Sequence, residues 1–273
     1  MANLSHIQVG KPSLARPTPW RTALVTGASS GIGAALAHRL AEGGTEVVLA
    51  ARRIELLEAT ARSIRARRGS ARVLELDVTR PDDTVAAIRR VDADVGGLDL
   101  VVANAGIGWP QPARSLSWEK MSPLFATNFT GALATLTAVL PEMVRRGRGH
   151  LVGISSVAVY GPTPGGSGYR ATKAGLTTFL DNLRIELGDS GVHATAVHPG
   201  FVRTPFADAF SMQPPMVWSA DDAAHFIVRR LPKAPARIDF PFSVVQAMRV
   251  LSALPAFLRD RLVRRVRLGP DDE

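Results

Sequence analysis

The sequence predicts an α/β fold, in which a doubly wound parallel sheet of about seven strands is followed by an extra C-terminal helical tail. Apolar runs alternate with segments of helical period from residue 22 to about residue 240. The apolar runs are continuous rather than alternating, as in strands that helices cover on both faces. Strict alternation of strand and helix favours a parallel, doubly wound sheet.

Each element has its own signal along the chain. We expect strands at 23–26, 46–51, 72–78, 98–103, 150–155, 193–198 and 237–240. We expect helices near 31–43, 53–67, 82–95, 118–146, 168–188 and 220–231, where apolar residues recur at helical spacing. Short polar or glycine-bearing joints connect these elements, so residues 20–242 are interpreted as a single domain.

The two ends of the chain differ from this domain. Residues 1–19 contain three prolines and no apolar core of a signal peptide, so we interpret them as an irregular arm. Residues 243–273 are a basic tail whose apolar positions recur at helical spacing, with Pro255 as an interruption. Two interpretations of the tail stay open: a helix that closes the substrate side or packs on a sister subunit, or a helix that lies on a membrane surface.

Composition excludes several classes of protein. The chain has 273 residues, of which 46% are hydrophobic and 21% charged, so it can bury a core and is not globally disordered. It has no cysteine, which excludes disulfides, thiolate metal sites and a cysteine nucleophile. The net charge of +9 raises nucleic acid as a partner, but no basic run is interleaved with aromatic residues. We therefore predict no nucleic-acid partner. Without an apolar signal-peptide core or a window of 18 uninterrupted apolar residues, the protein is expected in the cytoplasm, with peripheral membrane association through the tail as an open alternative.

The joint between the first strand and the first helix is rich in glycine. Thr26 is followed by Gly27-Ala28-Ser29-Ser30-Gly31-Ile32-Gly33, and then by a helix. Glycines at such a joint permit a tight turn, close approach of the backbone to a pyrophosphate, and close packing of helix on strand. The N–H groups at the start of the helix favour negative charge. The sequence thus predicts a Rossmann-type fold that binds a dinucleotide.

The end of the second strand predicts which dinucleotide binds. Dinucleotide folds that prefer NAD place a carboxylate there to bind the ribose hydroxyls. This chain has Ala51 at that position, followed by Arg52 and Arg53. A planar guanidinium matches the oxygens of a 2′-phosphate. We therefore expect NADP(H) to be preferred over NAD(H).

Tyr169 and Lys173 carry the sharpest catalytic signal. Residues i and i+4 share one face of a helix, so the phenol and the ammonium point into the same cleft. The chain has two tyrosines and four lysines, so this spacing arises by chance in about 3% of such sequences.

These motifs resemble those of the short-chain dehydrogenase/reductase family over about residues 22–240. The Gly-x-x-x-Gly-x-Gly loop is similar to that of the family, and Ser156 lies thirteen residues before Tyr169, the spacing typical of it. Asn128 matches a fourth catalytic position. The resemblance implies cofactor contacts that follow the later strands; they are Asp77, Val78, Asn104, Ala105, Gly106, Pro199, Gly200, Val202 and Thr204. Ala103 replaces the first residue of the family's Asn-Asn-Ala-Gly element, which puts one structural hydrogen bond in doubt.

The resemblance implies an oxidoreductase that reduces a ketone or aldehyde, or oxidises a secondary alcohol. Tyr169 acts as general acid or base, and Lys173 together with the oxidised nicotinamide lowers the pKa of its phenol. Ser156 binds the substrate oxygen, Lys173 also holds the nicotinamide ribose, and Asn128 holds a water of a proton relay. His193 and His198 flank an apolar strand without a carboxylate cluster, so we predict no metal site.

The substrate is expected to be apolar, because the loops predicted to contact it are poor in charge. These loops are 105–109, 161–168 and 205–218, and the last contains Phe206, Phe210, Met212, Met216 and Trp218. An apolar lid and simple packing against the domain are equal alternatives for this segment. Two other functions stay open: a reductase of 3-oxoacyl chains, and a non-catalytic, membrane-recruited scaffold. Relatives commonly assemble through the helices 118–146 and 168–188, which implies a homodimer or homotetramer.

Overall fold

Seven parallel strands form the centre of the protein in the computed structural model, which describes residues 17–205 and 216–263. The strand order in the main sheet is β3-β2-β1-β4-β5-β6-β9. The chain therefore winds outwards from β1 in both directions, which confirms the predicted doubly wound sheet. The strands of this sheet are β1 (Thr22–Thr26), β2 (Glu46–Ala51), β3 (Ala71–Glu75), β4 (Leu100–Ala103), β5 (Gly149–Ile154), β6 (Val192–Pro199) and β9 (Arg237–Phe240).

Helices cover both faces of the sheet. They are α1 (Gly31–Glu42), α2 (Ile54–Ala66), α3 (Pro81–Asp94), α4 (Trp118–Phe125), α5 (Gly131–Thr137), α6 (Leu140–Arg146), α7 (Ser167–Leu187), α8 (Ala220–Arg230), α9 (Phe242–Ala253) and α10 (Ala256–Val263). One face packs on α1, α2 and α8, and the other on α3 and α5–α7. Neighbouring residues of one strand serve different faces, since Leu24 and Val25 are both fully buried but lie in separate clusters. Burial on both faces explains the continuous apolar runs of the strands.

The segment 118–146 differs from its prediction as one helix. A π-helical turn (Ala126–Thr130) follows α4, and a new helix, α6, begins at Leu140. Pro141 lies in the first turn of α6, where its missing N–H group costs nothing, and this position suits a helix start rather than a helix interior. By length and composition the whole segment passes as a membrane-spanning helix, but half of its most apolar window is buried in the domain.

Two further differences concern strands. The third strand ends at Glu75, and Asp77 turns the chain by accepting hydrogen bonds from the N–H and hydroxyl of Thr79. Asp77 and Val78 therefore lie in a loop and not on the strand as expected. A small second sheet, β7 (Val202–Arg203) with β8 (Trp218–Ser219), was not predicted. Two-residue strands carry no periodic pattern that a sequence could display.

The first half of the tail packs on the domain. Helix α9 lies against β9 and against a short 3₁₀ turn, Val157–Tyr160, next to the predicted catalytic Ser156. Ser252 of α9 donates a hydrogen bond to the carbonyl of Tyr160. Met248 packs closely on Gly161, where a Cβ atom would lie 3.0 Å from its terminal methyl group. Residues 1–16 and 264–273 lie outside the described residues, and with them most of the predicted arm and three arginines of the tail.

Candidate active site

A cleft of about 620 Å³ lies at the carboxyl ends of the parallel strands. This is the edge where doubly wound sheets bind their ligands. Three of the predicted catalytic residues, Ser156, Tyr169 and Lys173, line the cleft together with all the predicted cofactor residues except Gly33. Gly33 and Asn128 lie directly behind its wall, as described below.

The glycine-rich loop is held tightly against the loop that follows β4. Gly27 has a φ of +67°, which residues with a side chain rarely adopt. A Cβ atom at Gly33 would lie 2.4 Å from the carbonyl oxygen of Gly27, so only glycine fits there. The loop therefore leaves a backbone cradle at the start of α1, and this cradle fits a pyrophosphate.

Hydrogen bonds beside Ala103 join the loop after β1 to the loop after β4. The Asn104 amide donates to the carbonyl oxygen of Thr26 at 2.9 Å. The hydroxyl of Thr26 accepts from the backbone N–H groups of Asn104 at 3.1 Å and Ala105 at 3.2 Å. One side chain on each loop thus joins the first and fourth strands at the floor of the cleft.

The two arginines after β2 have different partners. Arg53 donates to the hydroxyls of Ser29, at 2.9 Å, and Ser30, at 3.1 Å, so it reaches back to the glycine-rich loop. Arg52 lies near Asp77: although partial burial favours the neutral acid, the hydrogen bonds from Thr79 and the charge of Arg52 keep the pKa of Asp77 below its ordinary value. Both guanidinium groups are exposed at the rim of the cleft. A guanidinium with two hydroxyl groups is a donor set that fits a phosphate.

Helix α7 presents Tyr169 and Lys173 on one face, as their spacing predicts. The Lys173 ammonium lies 5.8 Å from the centre of the Tyr169 ring and donates to the carbonyl oxygen of Ile154 at 2.8 Å. Ser156 follows β5; its hydroxyl accepts from the N–H of Ala158 and is also hydrogen-bonded to Tyr169. The structure therefore brings the three groups together at one point of the cleft.

Burial shifts the pKa values of Tyr169 and Lys173 in opposite directions. It raises the pKa of Tyr169 to about 12, a rise that the hydrogen bond with Ser156 opposes, and it lowers the pKa of Lys173 to about 8. Desolvation disfavours whichever form carries charge, so both groups are pushed towards neutrality. The lowered phenol pKa expected from the sequence is therefore not produced by the protein groups alone.

Asn128 is fully buried in the π-helical turn. Its amide donates to the carbonyl oxygen of Ile107 at 2.8 Å, and its side-chain oxygen accepts from the N–H of Ile107 at 2.8 Å. The side chain thus fixes the loop after β4, next to Gly106. Its role in a proton relay stays a prediction.

A buried polar network beside the catalytic helix was missed by the sequence analysis. His198, at the end of β6, lies 2.8 Å from the carboxylate of Asp239 on β9 and 3.1 Å from the hydroxyl of Thr177 on α7. The Tyr160 hydroxyl also donates to Asp239, and Arg249 of α9 pairs with the same carboxylate. His198 is a satisfied core histidine, as interpreted, but a carboxylate does lie beside it. Only the pairing of β6 with β9 brings these residues together, so no local pattern in the sequence reveals them.

The far side of the cleft is mainly apolar. Trp109 and Pro110 lie after β4, and Val244, Met248 and Leu251 extend into it from α9. Of the predicted substrate segment 205–218, the structure describes residues 205 and 216–218, and Pro205 lines the cleft. Trp218 packs on Phe226 and Phe240, with ring centres 5.2 and 5.0 Å away, so it belongs to the core and not to a lid. Phe206, Phe210 and Met212 lie outside the described residues.

Comparison with known proteins gives consistent matches. A family model described as short chain dehydrogenase matches residues 21–214. An uncharacterized oxidoreductase of Myxococcus xanthus (strain DK1622) is 43% identical over 248 residues, which are 91% of this chain and 98% of that protein.

Solved structures match over most of the chain as well. A short-chain dehydrogenase from Sphingobium yanoikuyae in complex with NADPH is 29% identical, with a TM-score of 0.76, over 92% of this chain and 98% of that one. A 3-ketoacyl-(acyl-carrier-protein) reductase from Brucella melitensis complexed with NADH is 27% identical, with a TM-score of 0.73, over 81% and 96% of the two chains. The cleft described above thus occurs in a chain similar to oxidoreductases with bound nicotinamide nucleotides.

Proposed function

This chain belongs to the short-chain dehydrogenase family and is an oxidoreductase, and from that premise we propose that it interconverts an apolar ketone or aldehyde with its alcohol, using NADP(H). One observation carries the proposal. Ser156, Tyr169 and Lys173 meet in a cleft that has a backbone cradle for a pyrophosphate at one end and an apolar wall at the other. That arrangement supports the transfer of a hydride and a proton to one carbonyl group.

The chain's own residues account for the proton. In reduction, Tyr169 transfers its phenolic proton to the carbonyl oxygen, and Ser156 donates a hydrogen bond to that oxygen as negative charge develops on it. Lys173, whose pKa is lowered to about 8, is protonated near neutral pH and stabilises the phenolate that remains. In oxidation the same groups act in reverse.

The cofactor supplies the hydride when it is bound. The residues of the cradle, from Gly27 to Gly33, would hold its pyrophosphate, and Lys173 would hold the ribose of the nicotinamide. Thr204 lies next to Gly31, since a Cβ atom added to Gly31 would be 3.0 Å from the methyl group of Thr204. Thr204 thus lies beside the cradle, and this position supports the contact with the nicotinamide that the family resemblance implies for it.

The preference for NADP(H) is supported by the donors at the end of β2. Arg53 and its two serine partners form a cationic, hydrogen-bonding corner where an NAD-preferring enzyme has a carboxylate. The relative from Sphingobium yanoikuyae was solved with NADPH and the one from Brucella melitensis with NADH, so the corner itself, rather than the relatives, carries this proposal. We also propose that the enzyme acts in the cytoplasm.

The apolar far wall supports an apolar substrate. In the part of the chain that the structure describes, the walls beyond Tyr169 are formed by side chains such as Trp109, Val244, Met248 and Leu251. A lipid-like, steroid-like or aromatic group would bury its surface there. We do not favour a 3-oxoacyl reductase, and the assembled catalytic groups oppose a non-catalytic scaffold.

NADPH oxidation tests the proposal. The purified protein is assayed against a panel of apolar ketones, with NADH as the matched cosubstrate. Tyr169→Phe should lower kcat by at least about a hundredfold, because the proton donor is lost, while NADPH binding measured by nucleotide fluorescence is retained. Turnover that survives Tyr169→Phe unchanged would overturn the mechanism.

The cofactor preference is tested in the same assay. Arg53→Ala should raise KM for NADPH by about tenfold or more, because a charged hydrogen bond to phosphate is lost, and should leave KM for NADH nearly unchanged. Arg62→Ala is the control, since Arg62 is an exposed arginine of α2. Equal losses with both cosubstrates would reject Arg53 as the phosphate-binding group.

A further inference from the structure

Helices α9 and α10 have two different apolar faces. Val244, Met248 and Leu251 of α9, with Val263 of α10, line the cleft. Phe242 and Val250 lie on the opposite side of α9 by helical period, and they are 76% and 64% exposed. The tail is therefore a roof over the substrate end of the cleft, with apolar side chains both beneath it and on top of it.

The exposed apolar face of α9 continues onto α10, and another segment of the same chain lies beside it. Five exposed apolar side chains form a surface that we call the tail face; they belong to Phe242, Val250, Phe257, Leu258 and Leu262. Met216, itself partly exposed, lies beside it, because its sulfur is 3.6 Å from the hydroxyl of Ser243. Such a concentration of large exposed apolar groups within 21 residues marks an interaction surface.

The charge of the tail sequence indicates an anionic partner. Residues 242–267 contain six arginines and one acidic residue, Asp260, and three acidic residues follow at 271–273. Arg261 is exposed on α10, and Arg264, Arg265 and Arg267 follow in the sequence, outside the described residues. Arginines beside exposed phenylalanines and leucines are typical of a helix that lies in the interface of an anionic bilayer.

The length of the tail helix agrees with that location. Phe242–Ala253 is apolar but has only 12 residues, and a bilayer requires about 20 residues to be crossed. A second copy of the chain would cover the apolar groups equally well, but two tail faces brought together would also oppose two sets of arginines. A lipid surface satisfies the apolar and the cationic groups at once.

We propose that the tail face docks the protein on an anionic lipid surface, with the substrate end of the cleft next to the bilayer. One consequence is that the apolar substrate enters the cleft from the membrane, and this consequence rests on the proposed function. The outer face of α9 then contacts the lipid, and its inner face lines the cleft that contains Tyr169. A bilayer-partitioned ketone or alcohol is the substrate class that this arrangement favours.

Vesicle co-sedimentation of the full-length protein tests the docking. The protein should sediment with vesicles of phosphatidylcholine mixed with phosphatidylglycerol, and about tenfold less with phosphatidylcholine alone or at high salt. Leu262→Ser, and the pair Phe242→Ser with Phe257→Ser, should each reduce the bound fraction severalfold. Leu56→Ser is the matched control, because Leu56 is 41% exposed on α2 against 47% for Leu262.

The outcomes separate the docking from the reaction. If the protein reduces soluble ketones but does not bind vesicles, the docking is wrong and the proposed function stands. Vesicle binding that depends on the tail face, with no ketone reduced, would uphold the docking and reject the proposed function. If the variants instead lower the mass measured by light scattering and vesicles bind none of the proteins, the tail face joins two copies and the proposal is wrong.

Discussion

Lys173 is enclosed where water cannot solvate its ammonium, and this burial makes the stability of the protein depend on pH. The pKa of Lys173 falls from 10.5 to about 8 on folding. Between these values the unfolded chain holds the proton and the folded chain does not, so the free energy of unfolding rises with pH across that window. The rise is at most about 3 kcal/mol, from 1.36 kcal/mol per pKa unit.

Lys173→Met should remove this rise. The variant is expected to be more stable than the wild type at pH 7, because no charge is buried, and the advantage should shrink as the pH approaches 10. Urea unfolding at several pH values between 7 and 10 measures the difference directly. Tyr169→Phe is the control in this range, because a phenol with a pKa raised to about 12 contributes a loss of stability only above pH 10. Parallel curves for Lys173→Met and the wild type would contradict the prediction.

Catalytic use of Tyr169 thus depends on more than the neighbouring amine. Burial raises the phenol pKa, and the hydrogen bond with Ser156 opposes part of the rise. With this raised pKa, Tyr169 keeps its proton at neutral pH, so the proton that reduction requires is present, whereas the phenolate that oxidation requires is scarce. A positively charged ring in the cleft would shift this balance towards the phenolate.

At the scale of elements, α9 is attached to the domain by a few polar contacts. Arg249 donates to the carboxylate of Asp239 at 2.8 Å, and its guanidinium stacks 4.6 Å from the centre of the Tyr160 ring. Asp239 also holds His198, which contacts Thr177 on the catalytic helix. The roof of the cleft is therefore connected to α7 through side chains rather than through the backbone.

Arg249→Met should loosen α9 without unfolding the domain. The arginine side chain is 44% exposed, so we expect only about 1 kcal/mol or less of global stability to be lost. Amide hydrogen exchange of residues 242–253 should become faster, and KM for apolar ketones should rise more than kcat falls. Arg184→Met is the control, because Arg184 is an exposed arginine of α7. Unchanged exchange in Arg249→Met would show that packing alone holds the helix.

The elements also show how far the sequence alone predicts this molecule. The glycine-rich joint and the pair Tyr169–Lys173 were predictable because their geometry is set within a few residues by helical spacing and backbone conformation. The network of Tyr160, His198 and Asp239 was not, since its members lie 38 to 79 residues apart and meet only through the strand order. The break before α6 was missed because its apolar pattern continues across Pro141.

On the scale of the whole molecule, two helices on one face of the sheet each present a large exposed apolar side chain. Ile185 of α7 is 68% exposed and Val144 of α6 is 43% exposed. Both helices cover the same face of the sheet and lie within the segments through which the family commonly assembles. A stable interface needs about 800 Å² from each partner, which a paired helical face can provide. We therefore expect a homodimer or homotetramer formed through this face.

Light scattering tests the assembly, because the monomer has a mass of 29.1 kDa. The wild type should give two or four times this mass. Ile185→Glu combined with Val144→Glu should shift the mass towards the monomer, because two buried carboxylates without partners would oppose association. Leu56→Glu on α2, which covers the other face of the sheet, should leave the mass unchanged. A monomeric wild type, or a double variant that keeps its mass, would show that assembly does not use this face, and the docking of the tail on lipid would then act on a single chain.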